Sequence, residues 1–566
     1  MKLLQRLKNL KSSKGKSFKK KIVWGLTGLL FFSFFGFVVV TKDIYFEIAK
    51  NIDIFTRVYK EISFNYVDEI NPEKFLRAGI KGMLSTLDPY TNFIDEKKQD
   101  DIEILTNGKY GGIGVSIGVK DNLITIFELM EGYAAQRQGL RVGDIILEVN
   151  DKKVVPEKFD EISSMVKGEP GTFLGLKIFR ETEKDTLKFN LIREEIIVKN
   201  LVYYGFFPEE SNTAYFKLNS FGRSSGDELK KAILELSKQK EINSVVLDLR
   251  GNPGGLLDVA VDIVNKFLPK GELVVTTKGR DTSSLRSYFS QQEPLLPKAD
   301  LLLLINEGSA SASEIVAGAI QDHDRGIIVG TKSFGKGLVQ TITPLSYNTS
   351  LKITSAKYFT PSGRCIQKID YGKKNDVIAE YDTLIESIFA TDHKRRVFSS
   401  GGITPDSIVQ DEKISNFVQD ILAKGLLFKF ANIYYDVNQK EIYGDLKEEK
   451  ILTEFGLFLQ TENYKYQSEI EKKIIELVSL SEKDKASSVL KNKMLVLQNE
   501  FKNNLTQLVE NDKRDILDFL QEELASRYLG MNGRVKASLI TDKQFQNGLK
   551  LLHDKKYYNK ILQKGN

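Results

Sequence analysis

Apolar residues change their spacing several times along the chain, and each change predicts a different kind of element. Ile22 to Val40 is an uncharged run of 19 residues rich in Phe, Leu and Val, long enough at about 1.5 Å per residue to cross most of a bilayer core. From residue 44 the apolar positions fall at helical spacing (Ile48, Ile52, Phe55, Val58, Tyr59, Ile62) and again over Phe75 to Leu87, which predicts a helical lead-in over 44–95. Over 96–195 alternation takes over. A glycine-rich turn at Tyr110 to Gly114 precedes Val115, Ile117 and Val119, and Gly143-Asp144 precedes Ile145 to Val149, so strands joined by tight turns are expected. Over 196–410 short apolar runs (Val245 to Leu249, Leu301 to Ile305, Ile327 to Val329) alternate with helical stretches, the pattern of an α/β core. Beyond residue 411, Lys, Glu and long apolar residues dominate with few glycines, which predicts a separate helical domain over 411–566. The chain reads as a multidomain α/β protein.

Length and charge sharpen this picture. At 566 residues the chain is too long for one compact core. The formal charge of +6 looks basic, but eight lysines, one arginine and no acid fall within residues 1–21, which leaves the rest at −3. The basicity is therefore a tail, and no aromatic-interleaved basic stripe suggests a nucleic-acid partner. Lysines before an apolar run stay cytoplasmic, so 1–21 reads as a cytoplasmic tail, 22–40 as a transmembrane anchor, and Lys42 onward as extracytoplasmic. A cleaved signal peptide is the alternative, although the run ends Phe-Val-Val-Val-Thr-Lys without small residues at cleavage-site spacing. Cys365 is the only cysteine, which excludes an intrachain disulfide and a cysteine-based metal cluster.

Two segments carry candidate chemistry. Leu301 to Ile305, then Asn306-Glu307-Gly308, reads as a buried strand ending at a turn, and Ser311 to Ile320 as the helix that follows. That arrangement puts Ser311 at a helix start, where free N–H groups and the helix dipole favour a developing oxyanion. Ser311-x-x-Glu314 is equally a capping box. Lys336 lies in Phe-Gly-Lys-Gly between the apolar stretches 327–329 and 338–339, which could desolvate its ammonium group and let it serve as a base; a solvated surface lysine is the ordinary alternative. Histidine, the usual base, occurs only at 323, 393 and 553, none in a recognisable triad setting. Gly330-x-x-x-x-Gly335-Lys336 imitates a phosphate-binding loop, but Gly337 stands where magnesium requires Ser or Thr, which argues against a nucleotide-dependent enzyme. Val245 to Leu257 reads as a strand, a glycine-rich turn and a helix entry. Gly254 or Gly255 there could offer a second N–H to an oxyanion, though a turn without that duty would look the same.

Tyr-Gly-Gly-Ile-Gly-Val-Ser-Ile-Gly (Tyr110 to Gly118), with Gln138 to Asn150 after it, resembles a PDZ domain. Gly112, Ile113 and Gly114 are then the candidates that bind a peptide's C-terminal carboxylate. With Gly82 to Tyr90, Leu247 to Gly255, Glu307 to Ile315, Phe334 to Gln340, Tyr358 to Arg364 and Gly401 to Asp406, the chain resembles the carboxyl-terminal processing peptidases, also called tail-specific proteases, from about Phe75 to Asp406. The resemblance implies a PDZ domain over 96–195 and a ClpP/crotonase-like α/β protease core over 196–410. It places the nucleophile on Ser311, the general base on Lys336 and a lysine-orienting glutamine on Gln340, with oxyanion donors on Ala312 and on Gly254 or Gly255. No metal or organic cofactor is implied. The expected function is a serine endopeptidase, anchored in a bacterial inner membrane with its catalytic part in the periplasm or outside the cell, acting on proteins bound by their C-terminal tails. A PDZ scaffold with an inactive core is the competing reading. The 411–566 extension could mediate homodimerisation, dock an activator protein, or pack on the core.

Overall fold

A computed structural model describes residues 44–562 apart from 97–103, 105–107, 182, 184, 370, 372–386, 400, 412, 484–486 and 501–504. The predicted tail and anchor over 1–40 lie outside the described residues. Among the described residues no helix is long and apolar enough to cross a membrane.

The chain divides after Thr86 into two units. The described part of the first is a pair of helices, α1 (Ile44–Asn65) and α2 (Pro72–Leu84). Asn71 caps α2 by accepting from Lys74 N at 3.0 Å, and Pro72 occupies the first turn, where its missing N–H costs nothing. The Tyr59 and Phe75 rings stack at 5.5 Å and join the pair. The lead-in expected to run to 95 therefore ends its helices at Leu84. The strand β1 (Asn92–Ile94) falls in the second unit.

The second unit begins with the PDZ-like module. Here β2 (Lys109–Gly112) pairs with a distant strand, and β3 (Val115–Lys120), β4 (Leu123–Leu129) and β5 (Ile145–Val149) form an antiparallel sheet. A helix, α3 (Phe159–Val166), packs against β3 and β5. The sheet is completed by β6 (Phe173–Arg180) and β7 (Asp185–Ile192), and β8 (Glu194–Ile197) is the partner of β2. The sheet order β3-β4-β5-β6-β7 leaves β3 at an edge.

The core that follows contains a six-stranded sheet. Its strands are β9 (Leu201–Phe206), β10 (Thr213–Leu218), β11 (Ser244–Asp248), and, farther along, 300–305, 327–330 and 407–408; all pairings beyond β9–β10 are parallel. Parallel strands covered on both faces need apolar residues at successive positions, which is why 245–249 and 301–305 read as continuous runs. One face carries Phe216, Leu247, Leu303 and Ile328 in register. It is covered by α4 (Ser225–Gln239), α5 (Leu257–Val264) and the helix that starts after Ser311. A second, antiparallel sheet contains β1, β12 (Leu273–Lys278) and β13 (Arg286–Phe289). The remaining elements of the core are β14 (Asp300–Ile305), α6 (Ala312–Asp322), β15 (Ile327–Gly330), β16 (Leu338–Pro344), β17 (Ser350–Phe359) and β18 (Ser407–Ile408). Of these, β16 and β17 belong to the second sheet, where β1 pairs with β17.

Past residue 411 helices dominate, as expected. The helices α7 (Asn416–Ala423), α8 (Leu426–Asn438), α9 (Glu448–Thr461) and α10 (Lys513–Thr541, interrupted at Gly530) enclose their own core around Phe417, Phe430, Phe455 and Leu520. This domain docks on the PDZ-like module, where Lys120 Nζ donates to Gly425 O at 3.0 Å and lies over Phe428, and Arg141 pairs with Asp436 at 3.0 Å. The last helices, α11 (Lys543–His553) and α12 (Lys555–Leu562), instead cover the second face of the core sheet. Phe545 packs edge-on to Tyr215, and Tyr558 OH donates to Leu301 O at 3.0 Å. Of the three roles open to 411–566, packing on the rest of the chain is thus observed, and the protease core draws its outer layer from beyond residue 411.

Candidate active site

The nucleophile candidate sits on a strained, stapled turn. After β14, Ser309 Oγ donates to Leu249 O at 2.8 Å, Ala310 N to Asn252 O at 3.0 Å, and Ser313 Oγ to Asn252 O at 2.9 Å. These bonds fix 309–313 against the turn that follows β11. Ser311 is the N-cap of α6 at φ +55°, ψ −112°, a conformation that a side-chain-bearing residue keeps only where its surroundings enforce it. The carboxylate half of the expected capping box is present: Ser311 N donates to Glu314 Oε2 at 2.8 Å.

Glu314 does more than cap. It is fully buried, and the same carboxylate accepts Lys336 N at 2.9 Å, Gly335 N at 2.7 Å and Ser333 Oγ at 2.6 Å. The serine turn and the lysine segment are therefore hung on one side chain. Burial pushes its carboxyl pKa up, and these hydrogen bonds pull it back part of the way. The local capping reading finds only the Ser311 bond. A glutamate on the third position of an otherwise small and apolar helix was the available signal for the rest.

Lys336 is half-buried, and its pKa is lowered to about 8, first by desolvation and then by the positive charge of Lys352, against the opposing pull of Glu314 and Asp88. Its Nζ lies 4.6 Å from the centre of the Tyr90 ring. Tyr90 arrives there because Asp88 accepts Tyr90 N at 2.9 Å, Thr91 N at 3.0 Å and Thr354 Oγ1 at 3.1 Å, which ties the segment before β1 onto β17. Burial pushes the Tyr90 phenol up, so it stays neutral over the ammonium group. Gln340, expected to orient the lysine, donates through its amide to Thr354 Oγ1 at 3.4 Å, inside the same Asp88-centred network. Asp88, Tyr90 and Thr354 were not singled out from the sequence, although the first two lie in the Leu-Asp-Pro-Tyr segment.

The glycine turn lies against the serine. A Cβ on Gly254 would stand 2.6 Å from Ala310 O, 2.8 Å from Ala312 N and 2.9 Å from Ser311 Cβ, and its φ is +99°. Gly254 N donates to Asn252 Oδ1 at 2.9 Å. The Phe221 bridge uses Gly254 O and Leu256 N, at 3.0 and 2.9 Å, and leaves the Gly255 N–H outside it. Ala312 N stands at the first position of α6, where no preceding turn supplies an acceptor. Gly254→Ala is expected to displace this turn and lower kcat about 10²-fold, the scale of losing one oxyanion donor, with the circular dichroism spectrum unchanged. Peptide hydrolysis by the purified variant checks it.

His323 stands at the opposite end of α6 from Ser311, where it pairs with Asp392 at 2.8 Å and Leu273 O at 2.7 Å. Twelve residue steps separate the two, roughly 18 Å at 1.5 Å per residue, so His323 forms no triad with Ser311. In the PDZ-like module Gly112 ends β2, Ile113 buries its side chain in the module's core, and Gly114 takes φ +78°, where a Cβ would meet Tyr133 Cβ at 2.5 Å. The turn therefore leads directly into the edge strand β3.

Comparison with known proteins agrees with this architecture. Residues 212–379 match the model of peptidase family S41, residues 126–178 that of the PDZ domain, and residues 417–552 that described as "Probable PDZ-protease, C-terminal helical domain". Over 342 residues the chain is 36% identical to the carboxy-terminal-processing protease of Bartonella bacilliformis, covering 60% of this chain and 76% of that protein. The chain belongs to the carboxy-terminal processing peptidases. It is a serine-type peptidase of family S41 carrying a PDZ domain. This peptidase is also 35% identical over 318 residues to a probable CtpA-like serine protease of Staphylococcus aureus, covering 56% of this chain and 62% of that one. Among solved structures, the photosystem II D1 C-terminal processing protease aligns over 64% of this chain and 94% of its own at 23% identity and a TM-score of 0.34.

Proposed function

We propose that this peptidase is a membrane-anchored endopeptidase that takes extracytoplasmic proteins by their C-terminal tails and cleaves them with a Ser311–Lys336 dyad. The observation that carries the reading is the Glu314 carboxylate, which accepts from the backbone N–H of Ser311 and of Lys336 and so holds the two residues in register. The lowered pKa of Lys336 supports its role, because a base must be neutral when the serine proton leaves. Lys336 takes the Ser311 Oγ proton, the resulting alkoxide attacks the peptide carbonyl carbon, and the N–H groups of Ala312 and Gly255 hold the oxyanion. The lysine then returns the proton to the leaving amine. Water, deprotonated in turn by Lys336, attacks the acyl carbon, and the lysine returns that proton to Ser311 Oγ as the acyl–oxygen bond breaks.

The glycine turn at 112–114, opening onto the edge strand β3, supports tail recognition, since an incoming strand pairs with a free edge while backbone N–H groups receive its carboxylate. Nine cations before the uncharged run at 22–40 support the anchor, with residues from Lys42 onward outside the cytoplasm in a bacterial inner membrane.

The test is degradation of an unfolded protein with an apolar C-terminal tail by the full chain in detergent. Ser311→Ala is expected to abolish cleavage while tail-peptide affinity stays within twofold of wild type. Cleavage that survives in Ser311→Ala would overturn the mechanism.

A further inference from the structure

Arg250 lies two residues past the end of β11 and opens the turn that ends at Gly254 and Gly255. Its guanidinium is held on two sides. Inward, it forks onto the fully buried Asp248, with Nε at 3.0 Å from Oδ1 and Nη2 at 2.6 Å from Oδ2. Outward, it reaches residues nearly three hundred positions later: Nη1 donates to Gln544 Oε1 at 3.1 Å, and Nη2 pairs with Asp542 Oδ2 at 2.5 Å. Both ends of the outward pair are mostly buried, at 15% and 17% side-chain exposure.

The charges explain why a second carboxylate is there. Asp248 also faces Lys217 Nζ at 3.2 Å and accepts Tyr215 OH at 2.7 Å. Without Asp542, one buried carboxylate would face two cations, and the guanidinium would lose a charged acceptor that fixes its outer edge. Asp542 is itself immobile, because its other oxygen caps α11 by accepting Phe545 N at 2.9 Å. Gln544 is fixed likewise by donating to Val409 O at 2.9 Å.

From Arg250 the restraint passes into the turn. Arg250 O accepts Lys217 Nζ at 2.9 Å, Gly251 N donates to Asn306 Oδ1 at 2.8 Å, and Asn252 receives Ala310 N and Gly254 N. Three residues beyond Gly251, Gly254 touches Ser311. We propose that Asp542 is a positioning residue for catalysis: its carboxylate, supplied from beyond the protease core, holds Arg250 and thereby the register of the Gly254–Gly255 turn against Ser311. The helical extension is then part of the catalytic unit. The inference rests on Ser311 being the nucleophile.

Asp542→Asn tests it in the full chain, because asparagine keeps the volume and its one acceptor oxygen keeps the cap on Phe545 N, while the charge and the acceptor facing Arg250 are lost. The readouts are hydrolysis of a short chromogenic peptide and affinity for a peptide boronic acid, whose tetrahedral serine adduct places an oxygen in the oxyanion site. The expected result is a fall in kcat of about 10-fold to 10²-fold, the scale of a small misplacement of reacting groups, with KM within twofold and boronate affinity lowered by the same factor. Tyr558→Phe is the control for docking. It removes the bonds of α12 to Leu301 and is expected to lower the melting temperature while kcat and boronate affinity stay within twofold of wild type. Unchanged boronate affinity in Asp542→Asn would overturn the proposal, as would Tyr558→Phe reproducing its losses. A wild-type chain that forms no boronate adduct would instead overturn the Ser311 reading on which the proposal stands.

Discussion

Lys336→Met is expected to abolish cleavage while making the folded protein more stable. The lysine pKa falls from 10.5 to about 8 on folding, mainly because burial disfavours the ammonium form. Between those values the unfolded chain holds a proton that the folded chain has released, so wild-type stability rises with pH across that window. Below about pH 8 both states carry the charge, and the folded one holds it in a poorer environment, a penalty of about 3 kcal/mol for a change of that size. The Tyr90 ring offsets part of the penalty, by roughly 1 kcal/mol if its cation–π contact resembles others at partly buried sites. Methionine keeps the stem and removes the charge, so urea denaturation at pH 7 should show a gain of about 2 kcal/mol, shrinking as the pH approaches 10.5. The same titration governs rate. In the wild type kcat/KM should climb about tenfold per pH unit and level off above about 8, while the variant lies about 10⁴-fold below that plateau, as when a base is lost from other serine hydrolases, and lacks the rising limb set by the lysine. A variant that is less stable at pH 7, or that keeps more than about a hundredth of the activity, would show that Lys336 is not a neutralised base.

The parts of this site that could be read from the chain are those whose signal is local. The strands at 244–248 and 300–305 declare themselves because both faces are covered, which forces apolar residues at successive positions. The helix start after Gly308 follows from the same strand ending at a turn, and the expected helix at 311–320 is found at Ala312–Asp322. What could not be read is what the tertiary structure brings in from far away. Tyr90 reaches Lys336 from the segment just before a three-residue strand that is too short to have a period of its own. The helices at 543–553 and 555–562 have apolar faces like those before them, and a periodic pattern fixes which face is buried but not the surface it meets. Composition assigns them to a separate helical domain and leaves packing on the core as one of three roles, and Phe545 and Tyr558 lie against Tyr215 and Leu301. Glu314 stands between the two cases. Its bond to Ser311 is three residues long and legible, whereas those to Ser333, Gly335 and Lys336 depend on how β15 and β16 return beside α6.

Glu314→Gln separates positioning from charge because it acts on the two in opposite directions. The carboxylate oxygens each accept two bonds: Oε1 from Ser333 Oγ and Gly335 N, Oε2 from Ser311 N and Lys336 N. A glutamine has one acceptor oxygen. Its better orientation keeps that oxygen on Ser311 and Lys336 and turns the amide NH₂ toward Ser333 and Gly335, where two N–H groups then face each other at Gly335. The Ser333 hydroxyl, which already accepts Ile403 N at 2.6 Å, also loses the acceptor for its proton. Two buried donors left without partners should lower stability by about 2–6 kcal/mol in urea denaturation, at about 1–3 kcal/mol for each. The segment carrying Lys336 loosens, and the high-pH plateau of kcat/KM should fall about 10²-fold, the scale for misplaced catalytic groups. The charge effect runs the other way. Glu314 pulls the Lys336 pKa up, so removing its negative charge should move the rising limb of the pH profile below about 8, making the weakened enzyme relatively more active near neutrality. A plateau equal to wild type would mean that the carboxylate does not hold the two segments together. A limb displaced to higher pH would mean that loosening has let water reach Lys336, and that burial outweighs the neighbouring charges in setting its pKa.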